Sequence, residues 1–351
     1  MLCIDGHLDL AYNGLFYNRD IKRTVAEVRA WESDMSGKGR GRNTVCLPDM
    51  RQGNIGLCFS TINARHATGF KTPIDFSPEG AWAAAQGQLA FYDLLERQGV
   101  LRRIRTRGEL DAHLADWERR QDTAPIGHVL CIEGADCLLE PHEVFAWWNA
   151  GLRVLSLAHY GTSKYAHGTN TEGGLFAPAR ELLGYMERLG VILDLTHTAD
   201  GSFWEALEVF SGRVIATHNN CRALVPRQRQ FSDDMIRAIA ARDGVIGVAL
   251  DDWMLSTEFQ IANPRPELVT LATVVDHIEH ICAVTGSARH VAIGTDLDGG
   301  YGTEQSPSDL DTIADLQKFP ALLRARGFAE ASVMAFMHGN WLRLLNSALP
   351  A

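Results

Sequence analysis

The chain has 351 residues, 46% hydrophobic and 22% charged, with a formal net charge of −10. That is a globular composition long enough for a large core, and its acidity argues against nucleic acid or an anionic membrane surface as the main partner. No apolar run approaches the roughly 18 residues of a spanning helix, and no basic-then-apolar leader precedes the first strand, so neither a membrane anchor nor a signal peptide is expected.

The first element is LCIDGHLDL (2–10), a strand in which Asp5, His7 and Asp9 alternate and therefore share one side. The Gly-rich basic segment GKGRGRN (37–43) follows; it could cover a site, but a mobile surface loop is the expectation. Further apolar runs are IGLCFSTIN (55–63), HVLCIEGAD (128–136), LRVLSLAH (152–159), GVILDLTH (190–197), VIATHN (214–219), VIGVALD (245–251) and HVAIGTDLD (290–298). Helical spacing marks 79–98, 175–189, 202–210, 232–242, 267–285, 308–326 and 329–347, and a long polar loop, YGTSKYAHGTNTEGG (160–174), follows the fourth strand. Near-continuous apolar strands alternating with helices indicate a parallel sheet, and eight of them predict a (β/α)8 TIM barrel spanning 1–351 as one domain. An open doubly wound sheet is the alternative, but neither GxGxxG nor GxxxxGK[ST] occurs. The seven cysteines are irregularly spaced with no CxxC pair, which reads as free thiols in a reducing, cytoplasmic setting.

Polar residues recur at the C-terminal ends of these strands: His7 and Asp9, Glu133, His159, His197, His218 and Asp296. In a barrel those ends meet at one mouth. So many ionisable groups in one cavity need a partner, and a pair of divalent cations would supply it. Mixed imidazole and carboxylate ligands suit Zn²⁺ or a related first-row ion. His7 and Asp9 can grip one ion, His197 and His218 another, and Glu133 can bridge them; two ions about 3.5–4 Å apart can share a hydroxide and polarise a carbonyl. Each motif alone is weak. The histidines outside the set, among them His113, His128, His277, His280, His290 and His338, read as structural.

The segments DGHLDL, CIEGAD, LRVLSLAH, GVILDLTH, IATHNN, ALVPRQRQFSDDMI, AIGTDLDGG and GNWLRLL, in this order, resemble the membrane (renal) dipeptidases, the M19 metallopeptidases. The resemblance implies a zinc-dependent dipeptidase in which two Zn²⁺ ions, bridged by Glu133, hold a hydroxide that hydrolyses dipeptides, often with a D-residue at the C-terminal side. His7, Asp9 and Glu133 would be the ligands of one ion, and Glu133, His197 and His218 those of the other. His159 would contact the scissile carbonyl oxygen, Arg229 the substrate carboxylate, and Asp296 would handle the proton between water and leaving amine. Arg222 and Arg227 compete for the role given to Arg229. The family often forms dimers, so a homodimer is the assembly implied, with a small dipeptide-like partner and neither nucleic acid nor membrane.

Departures from the family pattern fall on the substrate pocket. Leu8 replaces an Asn between His7 and Asp9, FST (59–61) replaces FWS, and the loop after the fourth strand lacks a Thr-Pro-Trp run. VALDDWML is expected to project Asp251 and Asp252 toward the site and favour a positively charged substrate. A related metal-dependent amidohydrolase acting on another small amide is the alternative function, and a non-catalytic metal or peptide binder a third.

Overall fold

Strand β1, Cys3–Leu8, is buried along its whole length, so even the face that carries Asp5 and His7 is out of solvent. A computed structural model describes residues 1–66 and 75–351, with residues 75 and 76 as backbone only. From β1 a parallel ladder runs through β2 (Ile55–Asn63), β3 (Ile126–Glu133), β4 (Leu152–Ser156), β5 (Ile192–Asp194) and β6 (Val214–Ile215). A parallel bridge between Ala216 and Ile246 carries it to β7 (Ile246–Val248), which pairs with β8 (Val291–Ile293). β8 packs back against β1, giving the (β/α)8 barrel in chain order.

The seam between β8 and β1 is fastened by a side chain. The Asp5 carboxylate accepts hydrogen bonds from Thr295 N (2.9 Å) and Thr295 Oγ1 (2.6 Å), and from His7 N (3.1 Å). Burial raises the Asp5 pKa to about 6 against these bonds, which favour the carboxylate. Asp5 is thus the hydrogen-bonding core residue that its place below His7 implies.

The barrel interior below the mouth is filled from the C-terminal end of the chain. Trp341 is fully buried, stacks near Phe59 with ring centroids 4.8 Å apart, and donates Nε1–H to Ile293 O at 2.7 Å. A Cβ on Gly6 would lie 2.4 Å from this indole, so the glycine of DGH is a packing requirement set from 335 residues away.

Three stretches differ from the sequence reading. The strand Leu101–Arg103 pairs with β3 outside the barrel ring, and the helix Arg107–Arg120 follows it, started by a Thr106/Glu109 capping box. Its buried face is Leu110, His113, Asp116 and Trp117, so two polar residues mask the apolar period. Segment 308–326 begins as a 3-10 turn, Ile313–Lys318, and becomes α-helical only at Phe319–Ala325, where Pro320 fits the first turn. The basic loop 37–43 is fixed rather than a mobile surface loop: Arg19 donates to Gly39 O (2.6 Å), Glu32 accepts from Gly41 N (2.8 Å) and Glu304 from Gly39 N (2.9 Å). Among the described residues no helix is long and apolar enough to cross a membrane.

Removing the seam carboxylate strands three buried donors. Asp5→Ala should cost about 3 kcal/mol in urea-induced unfolding; a loss below about 1 kcal/mol would show that the β8–β1 closure does not depend on it.

Candidate metal centre

Residues at the ends of six strands converge on one cavity of about 650 Å³, lined by Asp9, Glu133, His159, His197, His218, Arg229 and Asp296 among others. His7, just behind this lining, places Nε2 3.7 Å from Glu133 Oε2 and 3.9 Å from both Asp9 Oδ2 and Asp296 Oδ1. The other Glu133 oxygen, Oε1, lies 3.3 Å from Nε2 of His197 and of His218, and 3.7 Å from His159 Nε2. Ligand atoms within mutual metal reach fall into three overlapping sets: His7, Glu133, His218; Glu133, His159, His197; and His7, Asp9, Asp296. Glu133 and His7 each belong to two, so the cluster is a continuous chain of ligands with Glu133 at its middle. These sets join His7 with Asp9 and Glu133 with each of His197 and His218, but they divide the cluster otherwise than the sequence grouping does: His218 falls with His7, and His197 with His159.

The local backbone helps to aim these groups. His197 and Asp296 both adopt left-handed conformations, φ 65° and 57°, uncommon for residues with a side chain and typical of functional positions. Asn63, at the end of β2, donates Nδ2–H to Glu133 Oε2 at 2.8 Å and so orients the central carboxylate.

Hydrogen bonding also selects the imidazole tautomers. Thr217 Oγ1 donates to Asp194 Oδ2 at 2.6 Å, so its lone pair is left to accept from His218 Nδ1–H, 3.0 Å away. That leaves His218 Nε2 as a lone pair facing the cluster. Thr169 Oγ1 sits 2.9 Å from His197 Nδ1 in the equivalent place. The two Nε2 atoms then face each other at 3.1 Å, an arrangement of two acceptors that a cation between them would relieve. Asp9 Oδ1 and Glu133 Oε1 are buried without a hydrogen-bond donor among the described residues. Burial, followed by the neighbouring carboxylates, drives the pKa of Glu133 and Asp296 well up; burial, followed by Asp298, brings Asp9 to about 7. Burial pushes His159, His197 and His218 well down and His7 to about 3, so these imidazoles are neutral, the form that binds metal. The donor set, its unsatisfied oxygens and its facing lone pairs all fit divalent cations.

Of the three candidate arginines, only Arg229 lines the cavity. It is held by donation to His218 O at 2.8 Å and to Asn219 Oδ1. Arg222 is paired with Asp200 at 2.7 Å, and Arg227 lies over the Trp253 ring. Sequence reading did not find Asn63, Thr169, Thr217 or Asp194, because single Asn, Thr and Asp residues carry no motif. Nor did it find Tyr12, Tyr17, Tyr160, Arg65, Lys38 and Tyr301 on the cavity wall.

The acidic pair after β7 is divided by the fold. Asp251 lines the cavity, where it accepts from Gln305 Nε2 (2.7 Å) and caps Trp253 N (2.8 Å). Asp252 does not reach the site: it is fully buried, and neither carboxylate oxygen has a partner among the described residues. Burial, then the nearby Asp251, raises its pKa from 3.8 to about 9, so it is a neutral acid at pH 7 and cannot attract a cationic substrate. A group that binds its proton more tightly when folded stabilises the fold below its unfolded pKa and loses that stabilisation as pH rises through the folded one. The stability of Asp252→Asn relative to the unsubstituted protein should therefore improve by about 4 kcal/mol between about pH 5 and pH 8. A pH-independent difference in urea unfolding would show that Asp252 is ionised in the fold.

The family model for membrane dipeptidases, peptidase family M19, matches residues 1–349. Dipeptidase tcpJ of Claviceps purpurea is 27% identical over 309 residues, 86% of this chain and 68% of that protein. An uncharacterized dipeptidase of Schizosaccharomyces pombe is 31% identical over 227 residues, 62% of this chain and 52% of the yeast protein. The fold is shared with a metallopeptidase from Rhodobacter sphaeroides, solved with a phosphinate mimic of the dipeptide L-Ala-D-Ala, at a TM-score of 0.80, 22% identity and 99% coverage of both chains. With a match over almost its whole length, the chain belongs to the membrane dipeptidase family of metallopeptidases, M19.

Proposed function

We propose that the protein is a binuclear zinc dipeptidase, with His7, Asp9 and Glu133 holding one ion and Glu133, His197 and His218 the other. The observation that carries this is the placement of Glu133, one oxygen toward His7 and the other toward His197 and His218. Such ions, when bound, would supply an acidified water as nucleophile and a Lewis acid for the scissile carbonyl. Arg229, held by His218 O and Asn219, offers the substrate a guanidinium for its free carboxylate, which selects dipeptides over longer chains. His159, on the cavity wall 3.7 Å from Glu133, would stabilise negative charge on the carbonyl oxygen by hydrogen bonding. Asp296 takes the proton from the attacking water and passes it to the leaving amine. Seven free thiols, six of them buried, support a reducing, cytoplasmic setting for the enzyme.

The test is hydrolysis of L,L and L,D dipeptides, a tripeptide and an N-acyl amino acid, with and without a chelator. The mimic held by the Rhodobacter enzyme is the reason to include the L,D series. Chelator-sensitive cleavage confined to dipeptides is expected; inactivity on dipeptides by protein still holding two ions would transfer the chemistry to other small amides. In the same assay Asp296→Asn should keep its metal and lose at least about 100-fold in kcat, whereas Glu133→Gln should lose both ions in elemental analysis. Loss of a single ion would refute the bridge.

A separate prediction concerns the imidazole tautomer. Thr217→Val should weaken metal retention about 10- to 100-fold in competition with a chromophoric chelator, and Thr217→Ser should restore it. Equal retention in the Val and Ser variants would exclude the Asp194–Thr217–His218 chain as an orienting device.

A further inference from the structure

Segment 37–42, GKGRGR, carries three cations and no acid in a chain of net charge −10. Its backbone is pinned to the barrel mouth. Gly39 has φ 74° and lies so close to Tyr301 that a Cβ would meet its backbone at 3.3 Å. Tyr17 Oη donates to Lys38 O at 3.1 Å, and Thr303 N donates to Arg42 O at 2.8 Å. The three cations are not equivalent. Arg40 is neutralised by Glu32 at 2.8 Å. Lys38 makes no ion pair within 4 Å among the described residues; its ammonium stands 5.8 Å from the centre of the Tyr301 ring, on the cavity wall. Tyr301 is almost wholly buried and also lines the cavity, yet its hydroxyl has no hydrogen-bond partner among the described residues. Asp251, the acid of the same wall, accepts from Gln305 and Trp253 N through Oδ1 alone, and the Lys38 charge partly offsets the burial that raises its pKa.

The exposed Lys38 on its pinned backbone and Tyr301 with its buried, unpartnered hydroxyl adjoin at the rim of a 650 Å³ cavity much larger than a metal cluster needs, where an acceptor on the ligand would meet both. We propose that Lys38 and Tyr301 form a subsite for a carboxylate on the substrate's side chain, so that the enzyme prefers dipeptides carrying an acidic residue. The inference rests on the dipeptidase reading and names its substrate class. Because the loop is pre-positioned, little ordering is needed when the substrate binds. A charge-assisted hydrogen bond at a partly hydrated rim corresponds to a preference of about tenfold.

The experiment compares isosteric pairs, Ala–Glu with Ala–Gln and Glu–Ala with Gln–Ala, on metal-loaded enzyme. One pair should show a kcat/KM ratio of about tenfold in favour of the acid, which also tells the end of the dipeptide that meets the subsite. In Lys38→Met the ratio should fall to about one, and in Lys38→Glu below one, with Lys-containing dipeptides gaining; Tyr301→Phe should reduce it about threefold. A ratio at or below one in the unsubstituted enzyme, or one unchanged in Lys38→Met, overturns the subsite. Calorimetric binding of the same pairs to the metal-loaded protein gives the ratio independently of turnover. Preferential binding of the acid without cleavage would support the subsite while removing the dipeptidase reading, and equal binding would remove the subsite alone.

Discussion

Two buried aspartates, Asp5 and Asp194, hold the mouth of the barrel together, and the site depends on them. Each reaches across to the neighbouring strand to accept a backbone N–H and a threonine hydroxyl. Asp5 takes Thr295 on β8's extension; Asp194 takes Thr217 beyond β6. Each also accepts from the backbone of its own strand end, at His7 N and Thr196 N. At these seams short strands leave little ladder to fix register, and a charged acceptor with several donors does it instead. Both aspartates lie directly under ligand-bearing segments, so the bonds that close the barrel also set the height and direction of His7, His197 and His218.

Above this layer the chemistry is concentrated against its own electrostatics. Asp9, Glu133 and Asp296 are packed among four imidazoles and mostly withdrawn from solvent, which neither carboxylates nor protonated imidazoles tolerate alone. Burial drives both kinds of group toward neutrality, and the facing Nε2 atoms of His197 and His218 leave a point of high electron density between them. A metallopeptidase needs this imbalance: the binding of cations is favoured because the protein provides the negative groups and no compensating charge of its own within the cluster. Strain is placed here as well, in the left-handed backbone of His197 and Asp296.

The wall of the cavity follows a different logic. The metal cluster comes from strand ends, whereas Tyr301, Asp251 and Lys38 come from loops, and the basic loop is anchored through the buried Arg19–Glu32 pair rather than by a strand. Such a construction lets loops vary the ligand chosen without disturbing the groups that would hold the metal. Leu8 illustrates the separation: it lies between two cluster members in the chain, yet packs into the apolar core.

Local pattern determined much of this protein. Eight apolar runs, each ending in a polar residue, specified eight parallel strands, because a strand buried on both faces has to be apolar throughout and can turn polar only where it emerges. The residues at those ends, His7, Asp9, Glu133, His159, His197, His218 and Asp296, were legible for the same reason. Tertiary structure alone decided the rest. It divided Asp251 from Asp252, adjacent in the chain, of which the first caps a short helix on the cavity wall and the second is buried at that helix's start. It tied Gly6 to Trp341 and Thr217 to His218 through Asp194, contacts set by packing between segments that no periodicity records. It fixed a Gly-rich loop whose composition reads as mobile, because one of the groups that pin it, Glu304, lies far off in sequence and meets it only once the barrel has closed.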